Sequence, residues 1–354
     1  MKNGLTVLMI NIICVKLFLT FPRALVINSG TGAWLQMLIC TAAAYLIFFA
    51  GMRIYRVCGS RDMIEVSREI GGNALAGAVG VVLFCALGIN TGILMRAFPE
   101  SIKMFLLPDA EIEQIVIIFA AAAVFGAYMG LNALVNLISI IIIPASAVII
   151  IFLVSLFGEC DLSNISPVLG KGIASILSGW SALSVFSDII LFTLIISEFE
   201  SAEEAEKSGR RAIIYSGAVA VLITVVYTMM YPYPMSSEII MPVYKMVRSV
   251  DVVGVFRRAE SVLAFVWCIF TFISAGVYVY YMSLSLKKGF SLRDRKMLII
   301  PSAVTAASAA VIDINIPDRF AGGEIPGACV FWLSFILFVL TAALYILKKR
   351  AVRK

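Results

Sequence analysis

Residues 15–25 read VKLFLTFPRAL, which places Lys16, Pro22 and Arg23 inside an apolar run that starts near the N-terminus. A cation held deep in such a run is costly against hydrocarbon, so it is expected to be paired or to face a polar interior. On a helix Lys16, Thr20 and Arg23 are spaced four and three residues apart and share one face. Pro22 has no N–H to give to the carbonyl of Phe18, which predicts a helix kinked or unwound where its polar face lies. The backbone groups freed there need partners, and a ligand cavity is one source of them. The other reading is a plain structural kink, with Arg23 reaching out towards the interface.

The rest of the chain sets the same scene. Of its 354 residues 61% are hydrophobic and only 14% charged, and the mean hydropathy is +1.01. Apolar runs of about 20 residues, enough to cross a hydrocarbon layer of roughly 30 Å, recur throughout. The fold class is therefore all-α and polytopic in a membrane, one domain over residues 1–354. About ten spans are expected, near 5–28, 31–52, 74–98, 112–130, 133–157, 181–199, 212–231, 259–286, 297–313 and 327–347. The N-terminal run is too long for a cleaved leader and lacks a small-residue cleavage pattern, so it reads as the first span.

Charge gives the orientation. Lysines and arginines crowd the segments around 53–68, 207–211, 287–296 and 348–354, joined by Lys2, and are sparse in the alternate segments, where Lys103, Lys171, Lys245, Arg248, Arg257, Arg258 and Arg319 lie. That asymmetry puts both termini on the cytoplasmic side. The net charge of +6 is spread over these ends and gathers in no soluble segment, which argues against nucleic acid. The segment 53–73 is basic and amphipathic and is expected along the membrane surface. The segment PYPMSSEIIMPVYKMVRSVDVVGVFRR, 232–258, is turn-rich, with a short amphipathic helix over Val243, Met246, Val247 and Val250 as lid or packing element. EFESAEEAEKSGRR, 198–211, reads as a solvated helix between spans six and seven.

The counter-charge is expected in WSALSVFSDIILF, residues 180–192, where Asp188 stands among apolar neighbours with Ser181, Ser184 and Ser187 close by. At a helical rise of 1.5 Å per residue Asp188 lies roughly 10 Å from the outer end of its span, between Arg23 at about 7 Å and Lys16 at about 18 Å. An ion pair with either cation is allowed. Asn90 and Thr91 share a mid-depth position in span three, with Arg96 nearer the outer side; buried Asn and Thr also serve simply to bridge helices. In span eight Tyr278, Tyr280 and Tyr281 read as an interfacial belt and Trp267 as a packing residue.

No chemistry of catalysis is legible. There is no histidine, and H-E-x-x-H, G-x-S-x-G and phosphate-loop patterns are missing, so no enzyme, metal or cofactor is expected. The seven cysteines show no C-x-x-C spacing. Cys14, Cys40, Cys85, Cys268 and Cys329 fall within apolar runs and are expected as small core residues.

Five stretches carry a resemblance: LTFPRAL at 19–25, GAWLQML at 32–38, SPVLGKG at 166–172, PVYKMVRSV at 242–250 and RRAESVLAFVW at 257–267. In their order and spacing the chain resembles the permease-like B subunits of bacterial spore germinant receptors (the GerAB type), within the amino acid–polyamine–organocation transporter superfamily. The resemblance implies a five-plus-five inverted repeat with spans one and six broken around a midplane site for a small amino-acid-like germinant. It also implies A and C receptor subunits as partners and the spore inner membrane as location. The ligand-binding positions it implies are Val15, Lys16, Leu17, Phe18 and Thr20 in span one and Ser184, Val185, Phe186, Ser187 and Asp188 in span six, with Asn90 and Thr91 beside them. Arg23, Arg96 and Asp188 are the candidates for gating or ion pairing. Where the family usually carries glycines, this chain has Val15, Lys16 and Leu17, and Ser187 before the acid. The Lys16 ammonium is therefore expected to supplement backbone amides or to stand in for a coupling cation. The same pocket would equally serve an amino-acid carrier with alternating access.

Overall fold

A computed structural model describes residues 2–18, 21–105, 107, 109–249, 259–312 and 324–352. Among them there is no strand. The chain runs through α1 (Lys2–Cys14), a 3-10 turn (Val15–Phe18), α2 (Phe21–Ser29), a second 3-10 turn (Gly30–Gly32), α3 (Ala33–Tyr55), α4 (Met63–Phe105), α5 (Ile112–Met129) and α6 (Leu131–Leu156). It continues with α7 (Ile173–Ser178), a 3-10 helix (Trp180–Leu191), α8 (Phe192–Ile195), α9 (Ala202–Met230), α10 (Met235–Glu238), α11 (Pro242–Arg248), α12 (Ala259–Gly289), α13 (Lys296–Ile312) and α14 (Glu324–Val352). Among the described residues eight helical stretches are long and apolar enough to cross a bilayer, and two shorter apolar ones are Asn3–Leu17 and Lys296–Val311. The protein is an integral membrane protein of all-α, transporter-like build.

Glycine decides where the path bends. α5 and α6 are joined by Gly130 alone, at φ +89°, a left-handed position that a side chain would strain. α4 carries two non-helical residues, Gly71 and Gly72, the latter at φ +70° and ψ −162°. They turn the short amphipathic piece 63–70 away from the long apolar shaft, with Met63, Ile64, Val66 and Ser67 buried beneath it.

Burial places span six at the centre. Of its most apolar window, within Ile173–Glu198, 83% is buried, against 17% in α6, where Ile140, Ile143, Ile150 and Ile151 face outward as on a lipid-facing helix. The 3-10 helix of span six packs on α14 and α3, α4 packs along α12, and α1 lies against α9 and α6.

The basic segments meet at one end of the bundle. Lys288 bonds Asp62 and, at 2.8 Å, Glu65; Arg61 reaches Glu69 and Tyr345; Arg56 pairs with Glu206 at 2.7 Å. Glu206 is buried, so the stretch 198–211 is not wholly a solvated helix: from Ala202 onward one face, including Ala205 and Gly209, packs into the bundle. At the opposite end Thr31 donates to the Pro167 carbonyl and the Lys171 amide to the Ser29 carbonyl. There α11 buries Val243, Met246 and Val247 as expected, while Val250 lies outside the described residues. All seven cysteines are free, and Cys85 and Cys329 face outward, contrary to the core role expected of them. Apolar lipid suits a thiol as well as a protein core does.

Candidate functional site

α1 ends at Cys14 and the chain tightens into the 3-10 turn Val15–Phe18 before α2 restarts at Phe21, with Pro22 in its first turn, where a missing N–H breaks no helical bond. Span six breaks at Gly179 (φ −79°, ψ 40°) and then runs as a 3-10 helix to Leu191. Both spans are interrupted, but the stretches 15–18 and 185–188 are wound more tightly rather than opened out. Val15, Lys16, Leu17 and Ser187 all lie within these tightly wound stretches. The 3-10 geometry stacks every third side chain, so Val185, Asp188 and Leu191 lie on one edge.

These two irregular stretches meet. Lys16 Nζ lies 2.9 Å from Asp188 Oδ1 and 2.6 Å from Ser187 Oγ. Asn90, on α4, donates to Asp188 Oδ1 at 3.1 Å and accepts from Ser187 Oγ at 3.2 Å. Tyr278, on α12, donates its phenol to the same Oδ1. Lys16 is 11% exposed and Asp188 fully buried, so the charges neutralise each other away from solvent, as a buried pair must. Asp188 Oδ2 is buried with no hydrogen-bond partner. Trp267, on α12, donates its indole N–H to the Val15 carbonyl at 3.2 Å, supplying one partner that the interrupted helix needs. Trp267 also packs edge-on against Phe98, so the packing role expected of it stands beside a polar one.

The other anticipated residues divide. Val15, Leu17, Val185 and Phe186 are buried next to the cluster in sequence. Phe18 is described only in its backbone, and Thr20 lies outside the described residues. Thr91 turns its hydroxyl back to the Leu87 carbonyl at 2.6 Å, and Ser184 sits against Gly327 of α14. Arg23 and Arg96 do not join Asp188: Arg23 Nε donates to the Ser237 carbonyl at 2.9 Å, and Arg96 pairs with Glu100 one turn along its own helix. Among the described residues no group of three His, Cys, Asp or Glu side chains could hold a metal ion.

Sequence reasoning missed two features. Tyr278 and Tyr281 are fully buried and form no interfacial belt. The signal was available, since Trp267, Thr271, Ser274, Tyr278 and Tyr281 recur at four- and three-residue steps along one buried face of α12. The second is Gln36, buried on α3. Its Oε1 accepts from Ser29 and Asn28 and its Nε2 donates to the Gly179 carbonyl at 3.1 Å. One side chain thus splints the outer part of span one to the break in span six.

A family model described as "Spore germination protein" matches residues 2–317. Three Bacillus subtilis (strain 168) proteins are similar over most of their length. Spore germination protein A2 is 25% identical over 95% of this chain and 92% of that protein. Spore germination protein KB is 19% identical over 91% and 89%, and spore germination protein YndE 26% identical over 80% and 79%. With the match running from the first helix through the interrupted spans and beyond α13, the chain belongs to the spore germination protein family of membrane permease-like proteins.

Proposed function

We propose that this protein is the germinant-sensing membrane subunit of a spore germination receptor, binding a small amino-acid-like ligand where its two interrupted spans meet. The buried Lys16–Asp188 pair, held by Ser187, Asn90 and Tyr278, carries this reading. Apolar side chains would fill such a place at no loss of stability, so ionisable groups kept deep in a membrane bundle point to function. Val15 to Phe18 and Ser184 to Asp188 are the walls in this reading, with Asn90 beside them. Thr91, turned back on its own helix, is left out. Occupancy would favour one of two conformations by differential affinity and so pass a signal to A and C subunits.

Further observations support the setting. The gathering of basic segments at one end supports cytoplasmic termini, and membership of the spore germination protein family supports the spore inner membrane as the location. The pairing of α1 with the 3-10 helix of span six, of α3 with α9 and of α4 with α12 joins elements five spans apart, which supports a five-plus-five repeat in one permease-like domain. No catalytic role is proposed.

Two measurements test the reading together. Spores lacking the chain should lose the response to a defined amino acid, and proteoliposomes holding the purified chain should take up none of it. Sustained uptake with an intact spore response would make the protein a carrier. Lys16→Met at unchanged protein level should abolish the response, and an unaltered dose curve would remove Lys16 from the site.

A further inference from the structure

A second charged cluster lies away from the interrupted spans, where α3 and α9 pack together at the basic end of the bundle. Arg53 Cζ sits 5.5 Å and Arg210 Cζ 5.1 Å from the centre of the Phe49 ring, and Arg210 also covers Tyr45 at 5.2 Å. Arg56 and Arg210 share one carboxylate, the buried Glu206, at 2.7 and 3.7 Å. Among the described residues Arg53 has no carboxylate partner and rests only on its ring. Three guanidinium groups thus face one buried acid, and two positive charges stay uncompensated. The neighbouring Lys207 and Glu203 cancel each other at 3.3 Å and do not relieve them.

The surface beneath these cations is apolar. Two turns further into the bilayer on α3 Leu46 is exposed, and one turn further on α9 Ile214 is exposed. Tyr45 and Phe49 are half-buried at the seam. An aromatic floor holds the plane of a guanidinium and leaves its N–H fork free, and that fork matches a phosphate bidentately. We infer that this seam binds an anionic phospholipid, with its phosphates on Arg53 and Arg210 and its acyl chains along Leu46 and Ile214. A headgroup with two phosphodiesters, as in cardiolipin, matches the two uncompensated charges. Both cations lie over one ring, so a single headgroup reaches them. Leu46 and Ile214 stand at a depth that acyl chains occupy, so a lipid supplies charge and apolar cover in one molecule. An acidic protein segment supplies the charge alone.

The test is native mass spectrometry of the delipidated full-length protein, titrated with lipids of matched acyl chains. Cardiolipin is expected to bind at least tenfold more tightly than phosphatidylcholine, and binding within twofold would overturn the proposal. Arg53→Gln combined with Arg210→Gln should weaken cardiolipin at least fivefold and leave phosphatidylcholine unchanged. Arg293→Gln combined with Lys296→Gln removes the same charge from exposed positions elsewhere at the basic end and should change cardiolipin binding less than twofold. An equal loss in the two double variants would overturn the site, because general attraction between charges would then account for the binding. Inorganic pyrophosphate and a polyglutamate peptide, soluble sources of negative charge, should displace little cardiolipin even in tenfold excess. Full displacement by either would show that the acyl chains take no part, and the lipid would not be the occupant. Should the double variant at the seam fail to fold, Arg53→Gln alone leaves Glu206 both of its partners and should still weaken cardiolipin at least twofold. An unchanged affinity there would remove Arg53 from the site and the proposal with it.

Discussion

The protein holds ion pairs in two settings that differ in nearly every physical respect. In the middle of the bundle Lys16 and Asp188 are 11% and 0% exposed, and their partners come from four separate elements. At the basic end Arg61 and Glu69 are 41% and 47% exposed and join a residue just before α4 to one within its first stretch. Between these extremes lie Asp62 with Lys288 and Glu206 with Arg56, in each case a buried carboxylate facing a cation that still reaches solvent. The same chemistry therefore runs from a desolvated pair, where loss of one partner strands a charge, to a solvated pair worth almost nothing.

The sharpest way to break the comparison is to strand the central cation. Asp188→Leu should destabilise the protein by about 4 kcal/mol, since an uncompensated buried charge costs far more than its missing partner contributed. Lys16→Met added to it should restore most of that loss. Thermal unfolding in detergent of the two single variants and the double variant measures the coupling. A single variant as stable as wild type would mean that water reaches Lys16 freely and that the centre resembles the surface.

An intermediate effect is expected from Asp62, which caps the piece 63–70 by accepting from the amides of Ile64 and Glu65 at 3.0 Å and also bonds Lys288. Burial pushes its carboxyl up to about 6, against the pull of Lys288. A carboxyl raised in the folded state holds its proton to higher pH than in the unfolded chain, so its contribution is full below about pH 4 and is lost as pH rises through about 6. The span of that loss is on the order of 3 kcal/mol. Asp62→Asn should flatten this part of the stability profile between pH 4 and 7, and superimposable profiles would show that Asp62 is as well hydrated as Glu69.

How far these settings were legible in the sequence follows from the same contrast. Lys16 and Asp188 announced themselves because a charge in an apolar run is conspicuous, and counting helical rise placed them at compatible depths. Which cation Asp188 would choose was not legible. Arg23 was the nearer of the two in depth, and only the packing that hands it the Ser237 carbonyl excludes it. Tyr278 was hidden by its company. Next to Tyr280 and Tyr281 it reads as interface, and only the four- and three-residue stripe from Trp267 separates the buried tyrosines from the one facing Arg295. Gln36 gave no signal, since one amide in a helix points nowhere until the break at Gly179 is placed beside it. The interruptions were expected from Pro22 and from the family resemblance, yet the stretches wind into 3-10 helix rather than opening out, which the missing N–H of one proline does not decide.

The smallest effect belongs to the exposed pair. Glu69→Gln should change stability by about 0.5 kcal/mol or less, because Arg61 keeps its bond to Tyr345 at 2.7 Å and its place over that ring. Salt distinguishes this pair from the central one. At about 1 M the Debye length shrinks to roughly 3 Å, so whatever Glu69→Gln costs at low salt should vanish, while the cost of Asp188→Leu should persist because ions do not reach a buried charge. If salt erased both, the central pair would be solvent-connected, and a ligand at Asp188 would compete with water and ions rather than complete a dry polar cluster.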